Sequence, residues 1–315
     1  MKPIAPQSGI NIEDMNRVDL IGHLYRVSEK IDGVRKIFYK NSKGEVRAYS
    51  RTYKPDPYLD HICLFFENNR FPLNTYYDCE IVDRKSYYGG VDSFELRMIT
   101  NSKVSQEYET NKRDLMAVIF DYFQPDCMDI TSKRTVKLQN IFTYFALEDP
   151  VIMIPIFGNV HGENTLLINN LAKIVFARGG EGLMLQDCDM PYIQGKSKNL
   201  IKVKRKEEFI GKIIDIEMAL PTTKIVGGAR AIVCKVDACT SPVRVGSGFT
   251  DEERYYIAEY RKELLGEEVE IEAFGISKNA KGETCLSMPI FKQFVNGNTT
   301  TLIHHFTRKE GLSSL

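Results

Sequence analysis

The chain has 315 residues, 43% of them hydrophobic, enough apolar material for two cores and a length that favours two domains. Lys and Arg (42) balance Asp and Glu (42), so no global basic field announces nucleic acid and any polyanion site must be local. No apolar run reaches bilayer length, the start MKPIAPQSGINIEDMN lacks a secretory pattern, and the seven scattered cysteines form no CxxC pair. These features predict a soluble cytoplasmic protein with reduced thiols, no membrane contact and no structural zinc.

In chain order, EKIDGVRK comes first: Lys30 stands two residues before Asp32-Gly33 and just ahead of a strand. VRKIFYK and EVRAYSR, joined by the turn NSKG, predict a hairpin whose second strand ends at Arg51. YLDHICLFFENNR has helical spacing, TYYDCEIVDR reads as a strand, and LMAVIFDYF is so apolar that it should be covered on both faces. NTLLINNLAKIVFARGG predicts a helix capped by Asn164 and stopped by Gly179-Gly180, with Leu167, Leu171, Ile174 and Val175 on one face. The strand EGLMLQD and the charged stretch QGKSKNLIKVKRKEEF follow. Beyond Glu207 the texture changes to short strands (IGKIIDIEMA, RAIVCKVDA, EEVEIEAFGIS) and one helix-like piece, TDEERYYIAEYRKELLG. The expected organisation is residues 1–207 and 208–315, the second a small five-strand-type barrel.

Taken alone, Lys-x-Asp-Gly favours a surface turn with a solvated lysine. The ordered series that follows changes this. KIDGVR, AYSR, YYDCEIV (Asp78-Cys79-Glu80), VIFDYF, EGLML and LIKVKR stand in the order and spacing of the motifs of ATP-dependent DNA ligases, and the chain resembles the small phage-type enzymes of that covalent nucleotidyltransferase superfamily. VRVGSGFTDEER and LLGEEVEIEAFGI are similar to the oligonucleotide-binding (OB) domain of these ligases. The resemblance implies an α+β fold, with a nucleotidyltransferase domain of antiparallel sheets and flanking helices followed by an all-β OB-fold domain.

It also implies roles. Lys30 would be the nucleophile toward the α-phosphate of ATP, with Arg35, Lys202, Lys204 and a metal ion disfavouring its ammonium form. Asp32, Lys202 and Lys204 complete the expected catalytic set, the two lysines holding the α-phosphate. Their spacing of two along a strand agrees, since both then face one way. Glu181 and Glu80 would bind Mg2+ or another divalent cation, with Glu80 alternatively on the ribose; Arg51 would contact the ribose or the nick 5′-phosphate, and Phe120 would stack on adenine. The plainer readings are a core aromatic for Phe120 with Tyr122 as rival stacker, a solvated strand for KVKRK, and a mere post-turn residue for Glu181. The chain has no GxxxxGK[ST] loop, so ATP is not held in a Walker manner. His23, His61, His161, His304 and His305 show no metal-ligand spacing.

The resemblance departs at LSMPIFKQFVNGN, where Val295 stands in place of an expected arginine; Lys292, Arg308 or Lys309 are the candidate substitutes. The partner implied is nicked double-stranded DNA, bound by a monomer through the Lys196 to Lys206 cluster and Arg244, with a hinge near Glu207. An RNA ligase or mRNA-capping guanylyltransferase shares the lysine chemistry, and a nucleic-acid-binding protein with a decayed site is the non-enzymatic alternative.

Overall fold

The computed structural model describes residues 5–57, 59–84, 114–125, 127–279 and 281–295. The chain forms two compact units, Met1–Lys204 and Arg205–Leu315. No helix among the described residues is long and apolar enough to cross a membrane.

The first unit contains β1 (Ser8–Asn11), β2 (Leu24–Glu29), β3 (Val34–Lys40), β4 (Val46–Ser50), β5 (Pro55–Asp56), α1 (Asp60–Phe66), β6 (Thr75–Asp83) and β7 (Leu115–Phe123). It continues with α2 (Thr131–Phe142), β8 (Val151–Met153), β9 (Ile156–His161), α3 (Thr165–Ala177), β10 (Gly182–Asp187) and β11 (Lys196–Lys204). Five strands pair in the order β1-β11-β10-β2-β9 and six in the order β5-β4-β3-β6-β7-β8. Each sheet is antiparallel except for one edge pair, β1 with β11 and β7 with β8. A parallel neighbour needs a crossover, and α2 supplies it between β7 and β8.

The sequence pattern hides α2. Its inward residues are Thr131, Arg134, Thr135 and Leu138, a correct helical period carried mostly by polar side chains. The helix starting after Asn164 is present, and the Asn164 side chain accepts from the Leu167 N–H at 3.2 Å. Its buried face differs from expectation: Ile168, Ala172 and Val175 point inward, whereas Leu167 and Ile174 are 40% and 58% exposed. An i, i+4, i+7 stripe containing a small alanine lets the helix lie close against the sheet, and the larger side chains flank it.

β7 is covered on both sides, as its composition predicts. Leu115, Ala117 and Ile119 join a cluster with Phe38, Phe66 and Leu138, while Met116 and Val118 pack with Val82 and Ile152. The alternation breaks once. Asp78 pairs with Asp121 and Cys79 with Ile119, which leaves Phe120 as the extra residue of a β-bulge. Cys79, in the Asp78-Cys79-Glu80 run, is fully buried in the first of these clusters.

The second unit contains β12 (Glu207–Met218), β13 (Ala229–Val236), β14 (Val243–Val245), α4 (Asp251–Glu259), β15 (Glu268–Ala273), β16 (Ile276–Lys278), β17 (Thr284–Leu286) and β18 (Ile290–Phe294). Five strands pair in the order β14-β13-β12-β15-β18, and β16 pairs with β17. A capping box between Thr250 and Glu253 starts α4, whose Ile257 packs on Ile232, Val245, Ile271 and Phe291.

Candidate active site

The site follows from strand alternation in the five-stranded sheet. Ser28 pairs with Met184 and Met184 with Lys202; Arg26 pairs with Gln186 and Gln186 with Leu200. Beyond the end of β2, the Lys30 N–H donates to the Gly182 carbonyl at 2.8 Å, and Gly182 pairs with Lys204. Three cross-strand rows thus share one face. The residues between them, Val27, Leu183, Leu185, Ile201 and Val203, are buried on the other face with Ile168, Ala172 and Val175 of α3. Gly182 is required in the first row: its φ is +145° and a Cβ there would lie 1.9 Å from the Val203 carbonyl oxygen.

The six-stranded sheet contributes Arg35 from β3, Asp78 and Glu80 from β6, and both Phe120 and Asp121 from β7. A regular strand would turn these last two to opposite sides; the bulge is what brings both to the cavity. The same shift puts Tyr122, expected on the Phe120 face, into the core at 4% exposure, so it is not a rival stacker. Together the two faces enclose a cavity of about 290 Å³, many times the space of one water and suited to a small ligand. Gly33 shows why glycine follows Asp32. It is not in a left-handed turn; a Cβ on it would meet the Ile81 carbonyl oxygen at 2.4 Å and the Glu80 Cγ at 2.7 Å. The Asp-Gly pair is therefore a close approach of the Lys30 segment to β6 rather than the surface turn that the tetrapeptide suggests in isolation.

Of the residues singled out from sequence, Lys30, Arg35, Arg51, Glu80, Phe120, Lys202 and Lys204 line this one cavity. Asp32 is exposed and is not part of the lining. Glu181 sits at the lysines: Lys30 Nζ donates to its Oε2 at 2.5 Å, and Lys204 Nζ lies 3.1 Å from Oε1. Lys30 is 20% exposed, so it is not a solvated surface lysine. The Lys202 ammonium is disfavoured first by burial and then by Lys204, Lys30 and Arg51, which lower its pKa. Such a concentration of cations favours a polyphosphate.

Arg35 forms a bidentate pair with Asp78, its Nε donating to Oδ1 at 2.8 Å and Nη2 to Oδ2, and its guanidinium lies 5.2 Å from the Phe120 ring centroid. Burial opposes its charge, but Asp78 outweighs that and raises its pKa. Asp78 in turn accepts from the Tyr192 hydroxyl at 2.6 Å. Behind Phe120, Arg26 donates to the Phe120 carbonyl (2.8 Å), to Gln186 Oε1 and to Thr135 (2.8 Å), and Gln186 donates to Asp121 (2.5 Å). Arg134 of α2 clamps Asp121 through two bonds of 2.8 Å. Sequence reasoning missed Arg26, Asp121, Arg134, Gln186 and Tyr192. The signal was present for Asp121 and Gln186, polar residues inside the otherwise apolar strands VIFDYF and EGLMLQD.

Burial pushes the Glu80 carboxyl up to about 8; Lys30 and Arg35 oppose this, while Asp78 and Glu181 reinforce it. Below that value the folded chain holds a proton that the unfolded chain has released, so stability falls as pH rises from the ordinary carboxylate range through 8. In chelator and without nucleotide, wild type is expected to lose stability relative to Glu80→Gln over this window, by at most about 1.4 kcal/mol per pH unit. Urea midpoints of the two proteins measure it, and a difference that does not vary with pH would show Glu80 to be ionised throughout.

The residues fit ATP and a divalent cation. Phosphates suit the three lysines and two arginines, and Phe120 offers a flat apolar face. Among the described residues no group of three or more His, Cys, Asp or Glu is arranged to hold a metal, but Mg2+ takes only one or two protein carboxylates beside phosphate and water. Glu181, and Glu80 once ionised, offer carboxylates of that kind. In the second unit, Val295 is 41% exposed and Lys292 Nζ lies 3.4 Å from Glu272, which also pairs with Lys206. Arg244 pairs with Glu217 at 2.8 Å. Arg308, Lys309, His304 and His305 lie outside the described residues.

A family model described as "ATP dependent DNA ligase domain" matches residues 14–204. No curated protein matches the chain in sequence. Several solved structures are similar. One described as "Pmar-Lig_PreS3" has 22% identity and a TM-score of 0.77, over 93% of this chain and 68% of its own. A Lig E DNA ligase, described as DNA binding with a minimal scaffold, has 19% identity and a TM-score of 0.64, over 92% of this chain and 98% of its own. The ATP-dependent DNA ligase of bacteriophage T7 in complex with ATP has 16% identity and a TM-score of 0.52, with the same coverage. These likenesses are of fold, and their fold is the mixed-sheet, few-helix arrangement described above. Because the family match takes in more than half of the sequence, the chain belongs to the ATP-dependent DNA ligase family.

Proposed function

We propose that the protein seals nicks in duplex DNA through a lysyl-AMP intermediate on Lys30. The observation that carries this reading is the convergence of Lys30, Lys202 and Lys204 in the cavity wall, with Glu181 paired to Lys30 and Lys204. Lys30 Nζ, once it has lost a proton, attacks the α-phosphorus of ATP; an N–P bond forms and the bond to pyrophosphate breaks. The 5′-phosphate of the nick then takes the AMP, restoring the lysine, and the 3′-hydroxyl displaces AMP to form the phosphodiester. Phosphoryl transfer asks the protein mainly to align groups and neutralise charge. Lys202 and Lys204 meet the α-phosphate from one strand face. Arg51 serves the ribose or the 5′-phosphate, Arg35 is held for phosphate by Asp78, and Phe120 stacks on adenine.

A divalent cation held by Glu181 and Glu80 would neutralise charge developing on the phosphate oxygens. Glu181 also fixes the Lys30 amine through their hydrogen bond. Protonated Glu80 is able to donate to a ribose hydroxyl, the other role open to it. Residues 1–207 carry the adenylation chemistry in this reading and 208–315 form the OB-fold; the protein acts as a monomer on nicked duplex in the cytoplasm.

Mass spectrometry of the protein incubated with ATP should show one covalent AMP, and nicked duplex should discharge it as sealed product. Absence of any adduct would remove the reading. Binding of nicked duplex through lysines and arginines that are partly paired with carboxylates should depend strongly on salt. Affinity is expected to fall about 1000-fold between about 50 and about 200 mM salt, measured by fluorescence anisotropy, and a flat response would rule out phosphate-led binding.

A further inference from the structure

Residues 5–11 precede the stretch matched by the family model, which begins at residue 14, yet Gln7, Ser8 and Gly9 form part of the cavity wall. β1 adds in parallel to β11 at the sheet edge, with Ser8 opposite Lys196 and Asn11 opposite Lys202. Backbone bonds fasten the segment: Ser8 N–H to the Gly195 carbonyl at 2.7 Å and Gly195 N–H to the Ala5 carbonyl at 3.1 Å. Gly9 presses so close to β11 that a Cβ would lie 2.7 Å from the Leu200 carbonyl oxygen. The Gln7 N–H donates to the Tyr192 hydroxyl at 2.9 Å, the same hydroxyl that donates to Asp78 behind Arg35.

The Gln7 backbone is thus held from several sides, and the residue is only 2% exposed. Its carboxamide oxygen nevertheless has no hydrogen-bond partner among the described residues. Buried polar atoms are almost always paired, and one left over in a cavity wall points to a ligand group that completes it. Only two others among the described residues share this condition, Arg26 Nε and Asn199 Nδ2, and both are donors. Gln186, the neighbouring carboxamide in the wall, is already committed to Arg26 and Asp121. Gln7 Oε1 is therefore the one buried side-chain acceptor without a partner among the described residues, and it suits a donor on the ligand. A base stacked on Phe120 presents its hydrogen-bonding groups only in the ring plane, and adenine carries one exocyclic donor, the 6-amino group.

We propose that Gln7 selects the nucleotide base, its side-chain oxygen accepting a hydrogen bond from the 6-amino group of adenine. The inference rests on the ligase reading, in which adenine stacks on Phe120, and assigns base selection to a segment outside the family match. The test compares lysyl-adenylate formation from ATP with formation of the corresponding adduct from purine riboside 5′-triphosphate, which lacks only the 6-amino group. Wild type is expected to prefer ATP by about 10- to 100-fold in kcat/KM, because an analogue that leaves a buried polar group unpaired is rejected. In Gln7→Met, close in shape but without the amide, the preference should collapse to under about 3-fold. Taking the ratio on one protein preparation cancels any loss of folded enzyme. A wild type indifferent to the amino group, or a preference unchanged in Gln7→Met, overturns the inference and leaves the ligase reading intact. A wild type that forms no adduct with ATP overturns the ligase reading itself.

Discussion

Replacing Lys30 by alanine is expected to abolish the covalent AMP adduct and to lower nick sealing by at least about 10⁴-fold, the scale on which enzymes lose rate when a nucleophile is removed. The fold should survive. The bond that places residue 30 in the sheet runs from its own backbone N–H to the Gly182 carbonyl, which alanine retains, and the side chain is only partly buried. What the substitution removes is the amine held 2.5 Å from Glu181 and beside Lys204. The variant should still seal a nick that has been adenylated beforehand, since that last step needs no lysine nucleophile. Failure on the pre-adenylated substrate would mean that Lys30 does more than carry AMP. A wild-type-like adduct in Lys30→Ala would show that another lysine is the acceptor. Glu181→Gln separates holding the amine from supplying it: the nucleophile remains, and adenylation should slow rather than vanish.

The largest effect on stability is expected at Asp121, even though it lies in the cavity wall. Asp121 and Arg134 are 1% and 2% exposed, and Asp121 accepts two bonds from Arg134 and one from Gln186. Asp121→Ala leaves the guanidinium of Arg134 buried beside Arg26 with no counter-charge, which costs about 3–5 kcal/mol. Chemical denaturation of the first unit should show the loss. Replacing both members, Asp121→Leu with Arg134→Met, should recover much of it, because two buried charges disappear together. If the double variant were as unstable as the single one, the pair would not be the source of the effect.

Burial raises the Asp121 carboxyl, but Arg134, Arg26 and the Gln186 bond outweigh it and its pKa is lowered in the folded chain. A lowered carboxylate contributes stability above its unfolded value, near 4, and loses it as pH falls through the folded value. Acid unfolding of wild type should therefore include a component that Asp121→Ala lacks. Activity should fall with stability in Asp121→Ala, since Arg26 and Gln186 share the same network and Arg26 holds the Phe120 carbonyl.

How much of the site could be read in advance differs from residue to residue. Lys202 and Lys204 are the clearest case, because a strand with period two allows only one arrangement for residues two apart, and both line the cavity. Phe120 and Tyr122 invite the same argument, and there it fails. One bulged residue between Asp121 and Ile119 reverses the sense of the strand, so Phe120 and Asp121 share the cavity while Tyr122 enters the core. Nothing in VIFDYF marks the bulge, because it is set by how β6 and β7 register. Helix α2 was invisible for another reason. Its inward residues include an arginine and two threonines that become partners of Asp121, Arg26 and the Met190 carbonyl only once those groups are brought near. The inward face of α3 was misassigned because four candidate apolar residues crowd one stretch, and the choice among them depends on the closeness of the sheet beneath.

By itself, the order of short motifs along the chain determined which chemistry to expect, and the balance of charges determined that its cations had to be gathered locally. Those are one-dimensional properties: residue type, spacing of two or of three and four, and the glycines that permit close approach. Only the tertiary structure decided that Gly33 marks contact with β6 and not a turn, that Asp32 stays outside the cavity, and that Glu181 meets two lysines at once. It alone brought the N-terminal segment to the cavity wall. The physical reason is that register, bulges and buried ion pairs depend on partners far apart in the chain, whose desolvation and hydrogen bonding arise only when the sheets are assembled.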